Sequence, residues 1–314
     1  MAQRSHRTDT NFFIAVILVL IVGFVWSMRA KPAADSTAAS STPTTTTPAT
    51  VSSQSVTDSN AATSDQTWSG ELILVRSNQL VARKADGSER TVYTAPKGSS
   101  IATASTVSDG KAIVELSSGT PNILSVDLKT GKTSTPPSTV TTGTLATPRP
   151  TTSGIATATF SNAERDFGTT IALIENGSTK TLYKSSDTVT SLAWRLDGDA
   201  LAIGTQTGVV MVNMASGDTL PTDLKTPVRS LSWNGSNVFA VTAGGTVKEI
   251  QPGKSATDVS GFSSISRDFQ QLAANQYVWL HDATGAGAVE FTSSDSSKAK
   301  ELAQASRILG VLND

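Results

Sequence analysis

Cysteine is absent from all 314 residues. That excludes disulfides, thiolate nucleophiles, Cys-ligated zinc and iron–sulfur clusters, and it leaves no acceptor for a cysteine-linked lipid anchor. Histidine is scarce: His6 and His281 are the two present, and His6 precedes the apolar run described below. A metal site built from several histidines is therefore excluded, and neither metal nor cofactor is expected. Neither sign of charge dominates, with 25 Lys+Arg against 26 Asp+Glu. The basic residues are scattered singly, so no stripe is available to neutralise phosphates and nucleic acid is not an expected partner. The phosphate loop G-x-x-x-x-G-K-[ST], the G-x-S-x-G elbow and the glycan-cleaving box S-x-D-x-G-x-T-W are missing as well. No catalytic constellation remains, and the chain is not expected to be an enzyme.

One long apolar run is present. Phe12–Met28 (FFIAVILVLIVGFVWSM) carries no charge, and 17 helical residues reach about 26 Å, close to the ~30 Å hydrocarbon core of a bilayer. Trp26 stands near one end, where indole rings favour the interface. Arg4 and Arg7 precede the run, and a short basic tail before a first span usually stays in the cytoplasm. The expectation is a single-pass signal anchor with a cytoplasmic amino terminus and an extracytoplasmic remainder, periplasmic or at the cell surface. A cleaved signal peptide is the alternative, but Met28–Arg29 stands where small residues would be wanted before the cut.

Residues 29–66 are dominated by Ser, Thr, Ala and Pro, including TPTTTTPAT at Thr42–Thr50. Such a segment buries too little apolar surface to offset its ordering entropy and reads as a disordered stalk, spanning roughly 30–35 Å as a coil. It is a spacer, O-glycosylated or plain. The resulting domain plan is a tail at 1–11, a transmembrane helix at 12–28, a stalk at 29–66 and a folded domain at 67–314.

The folded part is periodic. β-type runs end in polar turns closed by glycine at Gly87, Gly131, Gly177, Gly217, Gly253 and Gly285, with gaps of 44, 46, 40, 36 and 32 residues. That is the size of a four-stranded blade. The fourth unit is clearest: VTSLAW (Val189–Trp194), an Asp-Gly turn, ALAIG (Ala200–Gly204), a Gly hairpin, then VVMVNM (Val209–Met214). The fifth repeats it from VRSLSW (Val228–Trp233). In the second and third units the first strand reads IATAS at Ile101 and IATAT at Ile155, which leaves Ser134–Gly154 as an insertion or a binding projection. The sixth unit offers YVWLHDATG as a third strand with its turn, and Ser297–Ala305 reads as helical. The first unit lacks a first strand, and RILGVL (Arg307–Leu312) is expected to supply it and close the ring, removing free sheet edges.

The fold class expected is all-β, a β-propeller of about six four-stranded antiparallel blades preceded by one transmembrane helix and a disordered stalk. The fourth unit, TSLAWRLDGDALAIGTQTGVVMVNMASG, resembles a WD40-like or TolB-type blade. The histidine of many WD repeats is missing from it. Likeness to the wider propeller superfamily covers Trp68 to Leu312 and implies a scaffold without implying a ligand.

His281 reads as a turn residue, with a Ser-His-Asp arrangement as the alternative. Asp197 and Asp199, with Glu164 and Asp166, read as turn carboxylates or as calcium ligands. Trp194, Trp233 and Trp279 read as core between blades, or as a stacking surface. Asn176-Gly177-Ser178 and Asn234-Gly235-Ser236 are turn signals that also match the glycosylation pattern. The functional expectation is a protein- or peptide-binding scaffold of the cell envelope, gripping its partner with the face made of fourth-to-first and second-to-third strand loops. Its candidate residues are Ser77, Asn78, Ser117, Ser118, Gln206, Thr207, Gly244, Asn275 and Gln276. The alternatives are an envelope enzyme acting on glycan or lactone through loop carboxylates, and an accessory sensor subunit of a membrane complex.

Overall fold

A computed structural model describes residues 68–163, 167–281, 286–293 and 296–313. They form six four-stranded antiparallel sheets arranged as the blades of a propeller. From the axis outward, the strands of each blade are A, B, C and D. Blade 1 holds Arg307–Leu312 (β24), Glu71–Arg76 (β1), Gln79–Arg83 (β2) and Glu89–Thr94 (β3). Blade 2 runs Ile101–Ala104 (β4), Lys111–Leu116 (β5), Ile123–Asp127 (β6) and Thr133–Ser134 (β7). Blade 3 runs Leu145–Pro148 (β8), Ile155–Ser161 (β9), Gly168–Glu175 (β10) and Ser178–Ser185 (β11). Blade 4 is Val189–Trp194 (β12), Ala200–Thr205 (β13), Val209–Asn213 (β14) and Thr219–Pro221 (β15). Blade 5 is Val228–Asn234 (β16), Asn237–Thr242 (β17), Val247–Ile250 (β18) and Thr257–Asp258 (β19). Blade 6 is Arg267–Ala273 (β20), Gln276–His281 (β21), Gly287–Thr292 (β22) and Lys300–Ala305 (β23).

Burial follows position in the blade. The B strand lies between sheets on both faces, so β13 is buried at all six residues and reads ALAIGT without polar alternation. The outermost strands are short or polar: β7, β15 and β19 are exposed throughout and only two or three residues long. Short polar edges blunt pairing with other chains. Among the described residues, one apolar cluster fills each of the six junctions between blades. Carboxyl-terminal β24 pairs antiparallel with β1, Leu72 opposite Val311 and Leu74 opposite Ile308, so the ring closes as the sequence predicts.

Three expectations about strand order are overturned. In blade 3 the first strand is not IATAT but LATP, drawn from the segment read as an insertion; IATAT becomes the B strand β9. An inner strand is an edge strand, so Pro148 forfeits no ladder bond at its end. In blade 6, YVWLH lies in the second strand rather than the third, and β20 is the inner strand. Gly285, outside the described residues, thus falls between second and third strands, whereas the five earlier turn glycines all close third-to-fourth turns. Ser297–Ala305 is not helical: after a 3₁₀ turn at Ser296–Lys298, Lys300–Ala305 pairs with β22. KELAQA has helix-forming residues, but pairing that buries Leu302 and Ala305 overrides a weak local preference.

Residues 1–66, including the apolar run at 12–28 and the stalk, lie outside the described residues, as do Glu164 and Asp166. Among the described residues no helix is long and apolar enough to cross a membrane.

Candidate binding face and axial cavity

Antiparallel order gives the ring two ends. D–A and B–C connections gather at one, the upper face; A–B and C–D connections gather at the other. The inner strands run downward from the upper face, and their first residues surround its central opening. In blades 2, 4 and 5 the pairing of A with B slips at one residue, between Ile101 and Thr103, Val189 and Ser191, and Val228 and Ser230. A bulge takes its extra residue out of the pleat's alternation. Two of the three extra residues, Thr190 and Arg229, line an axial cavity of about 130 Å³.

Three arginines share one side of that cavity: Arg229 of β16, Arg267 of β20 and Arg307 of β24. Thr103, Ser105 and Thr144 place hydroxyls on the other side, beside Glu115. The arginines are unequally satisfied. Arg307 Nε donates to Asp268 Oδ2 at 2.7 Å. Arg229 Nη1 makes one long bond, 3.4 Å, to the carbonyl of Ser266. Arg267 Nε is buried without a hydrogen-bond partner, 3.8 Å from Asp268 Oδ1. Burial, and next the positive charge of Arg307, push the affinity of Arg267 for its proton below the ordinary arginine value. Glu115 accepts the backbone N–H of Gly143 at 3.3 Å.

The inner strands do not form a sheet with one another, and side chains bridge them instead. Ser191 Oγ accepts Leu231 N–H at 3.1 Å, Ser230 Oγ accepts Asp268 N–H at 2.8 Å, and Asp268 Oδ2 accepts Ile308 N–H at 3.0 Å. Each passes from one blade to the next. Asp268, at φ 58°, is the only acidic member of this series.

Of the residues expected from sequence, Ser77, Asn78, Ser117, Ser118, Gln206, Thr207 and Gly244 are exposed on B–C turns of the upper face. Several of them stitch loops together. The Ser77 carbonyl accepts Ile101 N–H, Ser117 Oγ accepts Ser100 N–H, and Ser118 Oγ donates to the Gly98 carbonyl. Asn275 and Gln276 are misplaced by the sequence reading: they sit at the A–B turn of blade 6, on the lower face, because β21 is a second strand. The arginines were missed. Their signal was an Arg recurring at blade period, at 229, 267 and 307, one residue after Val228, Ser266 and Ser306.

The upper face also carries an exposed aromatic pair. Phe160 and Phe167 flank the B–C connection of blade 3, 49% and 62% exposed, their rings edge-to-face at 5.6 Å. Trp194 and Trp279 are core, and Trp233 is partly buried against the core between blades 4 and 5. Trp233 Nε1 donates to the Ala193 carbonyl at 2.8 Å, Trp194 Nε1 to Thr147 at 3.3 Å, and Trp279 is fully buried against Phe262. Asp197 is occupied by both its oxygens on Arg195 Nε at 2.8 Å, and the hydrogen bond to that guanidinium lowers its pKa. His281 is half exposed, with Nδ1 3.7 Å from Glu290. Among the described residues no three His, Asp or Glu converge as a metal-binding group.

No family profile matches the sequence, and no curated protein is similar to it in sequence. Solved structures are similar in fold. TolB from Acinetobacter baumannii superposes with a TM-score of 0.57 at 12% identity, over 77% of this chain and 67% of that one. A putative TolB from Agrobacterium tumefaciens gives 0.53 at 12% identity, over 75% and 89%. A chain of a nidogen/laminin complex gives 0.51 at 13%, over 77% and 97%. The architecture is a TolB-like six-bladed propeller.

Proposed function

We propose that the chain is a non-catalytic propeller, tethered to a membrane by residues 12–28, that binds protein or peptide in the cell envelope through its upper face. One observation carries the reading: two aromatic rings, Phe160 and Phe167, stand exposed on the face where the axial cavity opens. Solvent-exposed aromatics are costly to leave in water and are enriched where proteins meet. A rigid ring of loops supplies a broad surface around them. Support for a binding role also comes from the neighbour solved within a nidogen/laminin complex. The carboxylates considered for catalysis speak less well for an enzyme, since Asp197 is held by its own neighbour in the lower A–B turn.

The test places a photo-crosslinking amino acid at Phe160 or Phe167 of the full chain and irradiates native membranes. A discrete adduct, lost when the probe is moved to the lower face at Leu196, is expected. Equal labelling from both faces, or none from either, would sink the proposal.

A further inference from the structure

The cavity at the axis is electrically incomplete. Three guanidiniums surround it. Two carboxylates stand near: Asp268, bonded to Arg307, and Glu115, turned to the Gly143 amide. The balance is three positive against two negative. Arg229 offers its fork with one long bond, and Arg267 has a buried Nε without a partner. The Arg267 Nε, unpaired out of bulk water, is expensive, and Arg229 stands exposed beside it with most of its fork free. A carboxylate relieves the cost at Arg267 and can accept a second bond from Arg229.

We propose that this cavity binds a carboxylate presented by the protein partner, held by Arg229 and Arg267 and oriented by the hydroxyls of Thr103 and Thr144. The inference rests on the reading of the upper face as a protein-binding surface and names what that surface grips at its centre. Charge selects the ligand class. A monoanion neutralises the single excess positive charge, whereas a phosphate dianion would set its second charge against Glu115. Size agrees, because about 130 Å³ gives room for one acidic side chain or a chain terminus. Arg307 is left to Asp268 and positions the wall.

The experiment is ligand-observed saturation-transfer NMR on the full chain with blocked hexapeptides at millimolar concentration. One peptide carries a central Asp, a second carries Asn in its place, a third ends in a free carboxylate, and inorganic phosphate is the fourth probe. The Asp or free-terminus peptide is expected to bind at least tenfold more tightly than the Asn peptide, and which of the two binds better identifies the source of the carboxylate. Arg229→Gln and Arg267→Gln, singly and together, are expected to lose at least tenfold of that affinity while their melting temperatures do not fall. Arg229→Gln is the safer variant, since it removes one weak bond. Equal binding of Asp and Asn peptides, no binding by any peptide, or tighter Arg-dependent binding of phosphate overturns the proposal. Crosslinking from Phe160 separates it from the broader reading: a partner captured equally by wild type and the double variant leaves the docking face standing and removes the carboxylate site.

Discussion

Asp268 and Arg307 meet across the junction between the sixth blade and the blade that closes the ring, Nε to Oδ2 at 2.7 Å. The same oxygen takes the Ile308 amide at 3.0 Å, and the Asp268 side chain is only 2% exposed. One buried carboxylate therefore serves both a charge and a backbone donor on the last strand. Asp268→Ala orphans both and should cost about 3 kcal/mol in denaturant unfolding, in line with breaking a buried pair. Asp268→Asn keeps an acceptor for Ile308 and tolerates the positive φ, so it should cost less than half as much. Equal costs for the two variants would show that the charge on Asp268 contributes nothing to the seam.

The arginines work in the opposite direction. Arg267 loses hydration and sits beside two like charges, Arg307 and Arg229. Arg267→Gln should leave stability unchanged or raise it by about 0.5–1 kcal/mol, as when a functional residue is traded for stability. A clear drop in the denaturation midpoint would make Arg267 a structural residue.

Acid should act at the lower end of the first blade. Glu71 is a buried carboxylate held by Arg90, whose Nε lies 3.0 Å from both oxygens, and Arg90 also donates to the Leu128 carbonyl of the next blade. The hydrogen bond to Arg90 pulls the Glu71 pKa below its ordinary value of 4.5. A carboxylate that titrates lower when folded stabilises the fold above its unfolded pKa, and the contribution fades as pH falls through the folded value. Stability should therefore begin to drop as pH falls below 4.5, and Glu71→Gln should flatten that part of the curve. Identical pH profiles for wild type and variant would rule out this pair as a source of acid sensitivity.

Ring closure can be tested by deletion. Removing Arg307–Asp314 takes away β24 with Ile308, Leu309 and Leu312, all buried, and bares the edge of β1. At roughly 2 kcal/mol for each apolar side chain, the loss is about 6 kcal/mol, comparable with the whole stability of a domain. The deleted chain should aggregate or expose its core to a hydrophobic dye at 25 °C. Cooperative melting near the wild-type temperature would contradict the closure.

Blades 4 and 5 were legible because their turns demand particular residues. Trp194 and Trp233 hold equivalent positions in β12 and β16, and Gly217 and Gly253 close equivalent turns at φ near 75°. Blade 3 was misread because IATAT at Ile155 repeats IATAS at Ile101 in composition, while the true inner strand, LATP, is short and ends in proline. Local pattern cannot tell an inner from a second strand when both are apolar; pairing decides. The same ambiguity carried Asn275 and Gln276 to the wrong face. The cavity was not legible as a site, because its arginines lie on three strands about 40 residues apart and only ring geometry turns them to one axis. Even so, Arg229, Arg267 and Arg307 recur at intervals of 38 and 40 residues.

Because β1 is a second strand, the chain enters the ring at Glu71 from the lower side, close to where β24 ends at Leu312. The arginines sit at the opposite end of the inner strands. The described chain thus joins the ring at the end opposite the mouth of the axial cavity. An acidic chain end approaching that mouth would meet it without passing the point where Glu71 enters the ring.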